Sequence, residues 1–332
     1  MKRDPYYDFL RGLAIVAVIG IHTIINPESY DSFMDILTIT IRQSLGAAVP
    51  LFLAISGYFL YWKKVNTKED YFAFLKKQVP VVYFPMLIWS IPWLLLRIIS
   101  GDSIFVLIPL TLVGGLSIFY FVTLIIECYI FLPLFKRISL RGTFLLLVVS
   151  ILWLALMAYL RWWKMYDLPM VAYCFLPGYA VFYGIGCLCA KQKVRFSFLI
   201  LLSLSAVFLV EQVVETIYLS KVISSNTIGI RNTIGLKIFT PLFSSATILL
   251  LFNSILKAKF KLNFISKVLV SLGEHSFTIY LTHLFVWFFL SRIVSIDYWA
   301  LRWFILIVVD FAFVLFIQRI IPQKFHIYMG IR

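Results

Sequence analysis

Two clusters of ionisable and hydroxyl-bearing residues stand inside otherwise apolar stretches of this 332-residue sequence, and they bound the chemistry it can do. The first is Asp8-Phe9-Leu10-Arg11-Gly12, followed eleven residues after Arg11 by His22. At about 100° per residue, eleven residues come within about 20° of three full helical turns and rise roughly 16 Å. Asp8 falls about 60° from Arg11 on the same wheel. A helix here puts carboxylate, guanidinium and imidazole on one face, with Arg11 at the mouth and His22 deep in the span. A cationic mouth attracts an anionic donor. A buried imidazole suits proton transfer, because small changes of surroundings move its pKa across neutrality. The same residues admit a structural reading, with Arg11 snorkelling to lipid headgroups and His22 making one interhelical hydrogen bond.

The second cluster is Ser276, Tyr280 and His283, spaced i, i+4, i+7, so that hydroxyl, phenol and imidazole share one helical face. Such a stripe is either a polar wall of a reaction chamber or hydrogen-bond glue between helices. Glu127 and Asp310 also fall mid-stretch, where an ionisable group is costly in lipid; pairing with Arg or His, or protonation on desolvation, accounts for them as well as catalysis does. Glu211 lies near a helix end and is expected to be solvated. Ser56, followed by Gly57, offers a nucleophile, but a serine beside glycine in a membrane helix is more often a close-packing site.

The elements that must position these residues follow from composition. Of all residues, 62% are hydrophobic and 14% charged, against about 25% charged in soluble proteins. A soluble fold of this size has no core large enough for so much apolar side chain. The expected fold is an all-α membrane protein forming one domain over 1–332. About ten transmembrane helices are expected near 9–26, 44–62, 79–98, 116–135, 143–160, 170–190, 196–214, 238–256, 272–291 and 300–320. The run at 104–116 reads as re-entrant or interfacial. With ten spans, twenty Lys and Arg residues collect on the side of the termini and nine on the other, with Arg11 inside the first helix. By the positive-inside rule both termini are cytoplasmic. Charge spread over alternate loops in this way does not point to nucleic acid. The first apolar run lacks a cleavage site and is expected to stay as a helix. Cys128, Cys174, Cys187 and Cys189 have no zinc-type or secreted-domain spacing. No phosphate-binding glycine loop, HExxH or GxSxG is present, and no metal is expected.

Asp8-x-x-Arg11-Gly12, the spacing to His22, Val49-Pro50-Leu51-Phe52 with Ser56-Gly57-Tyr58, and Ser276-x-x-Ile279-Tyr280-x-x-His283 occur here in order. In these the sequence resembles the acyltransferase-3 family of bacterial polytopic membrane O-acyltransferases, over the whole chain and in its stand-alone form. Two departures stand out. The family's Arg-x-x-Arg pair before the third span is replaced by Lys76-Lys77-Gln78-Val79-Pro80-Val81, and its His-Leu-Trp-Phe by Ile118-Phe119-Tyr120-Phe121. The resemblance implies acetyl-CoA, or a related acyl-CoA, as donor from the cytoplasm. The acceptor is then a hydroxyl of a surface polysaccharide or its lipid-linked precursor, and the location the bacterial inner membrane. It casts His22, Arg11, His283 and Tyr280 as catalytic, Arg11, Lys76 and Lys77 as donor-binding, and Ser276 and Asp8 as substrate-binding. In that scheme His22 is the general base, Arg11 orients the donor, and Tyr280 and His283 orient the acceptor or stabilise the oxyanion; an acyl group on His22 or Ser56 is a further route. The rival reading is a proton-coupled transporter or a flippase for a lipid-linked sugar or acyl group, with Glu127, Asp310, His22 and His283 as its proton relay.

Overall fold

In hydrocarbon every backbone N–H and C=O must be satisfied inside the protein, and a chain this apolar meets that demand with helices. In the computed structural model no strand occurs among the described residues, which are 4–24, 27, 30–162, 164, 174–192, 196–222 and 236–331. Lys2, Arg3, Lys193, Arg195, Arg231 and Arg332, counted above for orientation, lie outside these, as does the start of the run at 170–190. The helices of the first half are α1 (Pro5–Thr23), α2 (Phe33–Ser44), α3 (Ala48–Leu60), α4 (Lys68–Ile99), α5 (Ile104–Leu112), α6 (Tyr120–Ile130), α7 (Leu132–Phe135) and α8 (Leu140–Trp162). They are followed by α9 (Leu176–Lys191), α10 (Phe198–Val222), α11 (Thr240–Leu251), α12 (Ser254–Lys259), α13 (Phe264–Glu274), α14 (Ser276–Ile293), α15 (Trp299–Ile320) and α16 (His326–Met329).

A helix overlaps each of the ten expected runs, yet among the described residues six stretches are long and apolar enough to cross a membrane. These are Phe33–Leu60, Lys68–Ile99, Leu140–Arg161, Phe198–Ser220, Ser276–Ile293 and Trp299–Ile320. The expected run at 44–62 is the second half of a longer unit, in which a 3₁₀ turn at Leu45–Ala47 joins α2 to α3. The run at 116–135 is broken between α6 and α7, and 104–116 holds the nine-residue α5, which at about 1.5 Å per residue is too short to span.

α1 is the central post, packed against α3, α13, α14 and α15. Asp4 caps its start by accepting the Tyr6 N–H at 3.1 Å, with Pro5 at the first helical position. Two glycine crossings set its neighbours. A Cβ on Gly12 would overlap the Leu269 carbonyl oxygen, and one on Gly273 would overlap the carbonyl of Asp8, so α1 and α13 touch backbone to backbone. α3 and α9 do the same through Gly57 against Tyr183 and Gly186 against Ala54. Small residues permit such approaches where no hydrophobic force between helices is available.

α13 and α14 meet at His275, which ends one helix and begins the other. α4 is a different kind of element, with Pro80, Pro85 and Pro92 inside its 32 residues, each removing a helix hydrogen bond. After α15 the chain returns through α16, where the Thr278 hydroxyl donates to the Gly330 carbonyl at 2.6 Å and the Trp89 indole to that of Met329 at 3.2 Å. Two mid-chain carboxylates are absorbed by helix starts. Glu127 accepts the Leu176 N–H of α9 at 3.0 Å, and Glu215 accepts the Ile238 and Phe239 amides ahead of α11. Unsatisfied amides and the helix dipole both favour an anion there.

Candidate functional site

A cavity of about 610 Å³ opens where α1 crosses the α13–α14 joint. Arg11 lines it from α1, Phe52 and Ser56 from α3, Val82 from α4, and Phe121, Ile125 and Tyr129 from α6. Residues Gly273 to Phe277 and Tyr280 form the opposite wall, with Gln318 from α15. The Gly12–Gly273 contact positions that wall, since it brings the α13–α14 joint against the turn of α1 that carries Arg11. Arg11 is held by Asp8, with Nη1 to Oδ1 at 2.6 Å, and its guanidinium carbon lies 5.1 Å from the centre of the Phe59 ring. The Asp8 side chain is 2% exposed and that of Arg11 29%, so the carboxylate is a buried brace for a guanidinium that reaches the cavity. The first turn of α14 opens onto the same space, adding a helix N-terminus to a positive charge.

Tyr280 stands at the inner end. Its hydroxyl donates to the Ile118 carbonyl, and Phe121 packs edge-on against its ring at 5.4 Å. Its phenol proton is therefore committed to the segment just ahead of α6, which makes Tyr280 a positioning group in this arrangement. Ser276 likewise donates to the Gly273 carbonyl at 2.8 Å.

Beyond Tyr280 lies His283, with ring centroids 6.2 Å apart, and beside it His22 at 5.2 Å. Nδ1 of His283 faces two acceptors, the carbonyls of Ile279 at 3.1 Å and Tyr280 at 2.9 Å. That nitrogen must carry the proton, which leaves Nε2 with a lone pair, fully buried and without a hydrogen-bond partner. Buried polar atoms are seldom left so, because each costs about 1–3 kcal/mol. An unpaired imidazole nitrogen next to a second imidazole is equipped to take a proton and pass it on.

His22 differs from the expectation of a deeply buried residue. It occupies the last turn of α1 and is exposed. The eleven-residue spacing therefore runs from the second turn of α1 to its last, with Arg11 facing the cavity and His22 at the far end. The proximity of His22 to His283 is a tertiary fact with no trace in spacing along either helix.

Lys76 and Lys77 are exposed on α4 and do not line the cavity; Val82, six residues on, does. Asp310 is buried against α14, where its Oδ1 accepts the Thr282 hydroxyl at 2.7 Å and its Oδ2 has no partner. Ser56, set aside above, lines the cavity. Glu274, His275 and Gln318 line it too and were not singled out. The first two adjoin Ser276 in sequence, and that adjacency was the available signal. His275 meets the Ser271 carbonyl through Nδ1 at 2.9 Å and Gln318 Oε1 through Nε2 at 3.3 Å. Among the described residues no group of three or more His, Cys, Asp or Glu is placed to hold a metal.

With this geometry in hand, comparison with known proteins gives one finding. A family model described as an acyltransferase domain matches residues 4–319. Comparisons with curated proteins and with solved structures returned no match.

Proposed function

Because this chain belongs to the acyltransferase-3 family, and is thus a membrane acyltransferase in general, we propose that it carries an acyl group, acetyl foremost, from cytoplasmic acyl-CoA to a sugar hydroxyl. The acceptor is a surface polysaccharide or its lipid-linked precursor, and the setting a bacterial inner membrane crossed about ten times with both termini cytoplasmic. The observation that carries this reading is the single file of Arg11, the 610 Å³ cavity, Tyr280, His283 and His22 through the bundle.

The donor phosphates meet Arg11 and the start of α14, with Lys76 and Lys77 raising the local concentration of anions from outside the cavity. The thioester arm lies along the cavity toward Tyr280. The imidazole pair removes the proton of the acceptor hydroxyl. The oxygen then attacks the thioester carbonyl, the C–S bond breaks, and the thiolate leaves and takes up the proton. Products are an ester and free CoA thiol. Asp8 holds Arg11 in place, and Ser276 and Tyr280 hold the cavity wall.

The test compares surface glycan from a strain lacking the protein with that of its parent by mass spectrometry, alongside transfer of labelled acetyl from acetyl-CoA in membranes. An acetyl-sized loss from the glycan, together with donor-dependent labelling, supports the reading. An unchanged glycan with no donor consumption sinks it and favours transport.

A further inference from the structure

α13 crosses the central post α1 instead of running along it. Ahead of α13, the Phe260 ring lies 5.3 Å from that of Tyr6 and 5.1 Å from that of Phe9. Toward the other end of α13, Gly12 meets the Leu269 carbonyl and Gly273 that of Asp8. From 260 to 273 the chain advances about 20 Å even if wholly helical. Its partners on α1, Tyr6 to Gly12, cover only about 9 Å of that axis, and Gly273 returns to the level of Asp8 after Leu269 has reached Gly12. α13 therefore lies across the bundle at the level of Arg11, at the end where α1 begins.

Asn263 starts this helix by accepting the Ser266 N–H at 2.8 Å. Leu269 and Gly273, one turn apart, face α1. Phe264 and Val268, also one turn apart, fall about 140° away from them around the helix. Phe264, Ile265 and Val268 are 81%, 67% and 43% exposed. Lys259 and Lys261 just ahead of this face, and Lys267 on it, are exposed as well. Residues 251–273 contain no Asp or Glu, and the ion pair described in this stretch joins Lys257 to Asp4 at 2.5 Å. An apolar helix face edged by lysines and lying across the bundle fits the boundary between headgroups and acyl chains. Lysines at that boundary attract anionic lipid.

We infer that this segment is an in-plane clamp for an anionic phospholipid in the leaflet at the N-terminal end of α1. Lys259, Lys261 and Lys267 hold the headgroup phosphate, while Phe264, Ile265 and Val268 rest on the acyl chains. A lipid phosphate is the ligand, and not a free one, because the cations adjoin exposed apolar side chains that a soluble anion does not cover. Gly273 and His275, at the end of α13, belong to the cavity wall, so a lipid seated here steadies that wall beside Arg11. The clamp goes beyond the acyltransferase reading, and its binding test does not depend on that reading.

Native mass spectrometry of the purified full-length chain, given equal amounts of phosphatidylglycerol and phosphatidylcholine in detergent, decides it. Phosphatidylglycerol is expected to be retained over phosphatidylcholine by about tenfold or more. Lys259→Gln, Lys261→Gln and Lys267→Gln together should bring that ratio near one. Lys63→Gln with Lys64→Gln, an exposed pair outside the segment, should leave it as it is. Glycerol 3-phosphate at millimolar concentration should not displace the lipid. Equal retention of the two lipids overturns the inference, as does an unchanged ratio in the triple variant. An equal fall in the Lys63 and Lys64 variant, or displacement by glycerol 3-phosphate, overturns it too. The wild-type ratio can be read even if a variant fails to fold.

Discussion

His22 and His283 face each other at 5.2 Å between ring centroids, one exposed and the other with none of its surface accessible. Two imidazoles at this distance do not readily hold a positive charge at once. A proton taken by one therefore discourages protonation of the other, and in the proposed reaction the pair is expected to act as a single base. The buried member has its Nδ1 proton fixed by two backbone carbonyls, so its tautomer is set by α14 itself.

His283→Ala is expected to lower acyl transfer by about 10²–10⁴-fold, the usual weight of general base catalysis. His22→Ala should fall in the same range, and the double variant should be little worse than either, since residues acting as a unit are not additive. Labelled acetyl transfer in membranes, normalised to folded protein, measures all three. A wild-type rate in His283→Ala would reduce that histidine to packing.

Arg11→Lys keeps a charge but loses the planar fork. We expect a KM for acetyl-CoA raised by roughly tenfold with a smaller change in kcat. Arg11→Ala should also cost about 1–3 kcal/mol of stability, because Asp8 is left buried without its brace. Steady-state kinetics and thermal unfolding in detergent separate the two effects.

Gly273→Val is expected to destabilise more than Gly101→Val. Gly273 faces the Asp8 carbonyl, whereas a side chain at Gly101, though strained by its φ of +92°, meets nothing within 4 Å. Overpacking of this kind costs about 1–3 kcal/mol or more. The amount of folded chain recovered by size-exclusion chromatography is the readout, and equal recovery would contradict the backbone contact.

Burial pushes the Lys237 ammonium down to about 7 from an ordinary 10.5, with Arg42 adding to the effect and Glu215 opposing it. The charged groups facing it are Arg42 from α2 and Glu215 from α10, and His22 lies beyond Arg42. The cation is present below about pH 7 and lost above it. The folded value is the lower one, so stability rises with pH from about 7 toward the ordinary lysine value. Thermal unfolding between about pH 6 and pH 9 is the readout, and a flat profile that is the same in Lys237→Met would contradict the buried ammonium.

Most of the fold was legible because lipid makes hydrophobicity nearly decisive. Each of the ten apolar runs contains helix, and the polar face of α14 followed from a period of 3.6 residues. Helix lengths were less so. α6 and α7 break where Pro133 opens the second of them, and the charges of α1 lower its apolar character without breaking the helix. Within the site, Arg11, Ser276 and Tyr280 line one cavity; spacing put Ser276 and Tyr280 on one face, but the meeting of that face with Arg11 is tertiary. Lys76 and Lys77 stand where the family has its Arg-x-x-Arg pair and supply a like charge, but neither place nor charge says which way a helix face turns. Lys237 went unnoticed because its burial depends on α2 and α10 meeting above it, and a loop lysine in sequence looks like any other.

The two glycine crossings divide the chamber into a fixed frame and a yielding jaw. Where α1 meets α13, and α3 meets α9, carbonyls and glycine carbons are in contact, and neither pair can slide without collision. The facing wall is α4, with three prolines and much of its surface turned outward. On the proposed acyl transfer, a donor bulkier than acetyl is expected to need a tilt of that one helix past Val82, while the arginine and the imidazoles keep their places. Tolerance for chain length and fidelity of the reacting groups would then reside in separate parts of the bundle, and a residue change in α4 is expected to alter the first without touching the second.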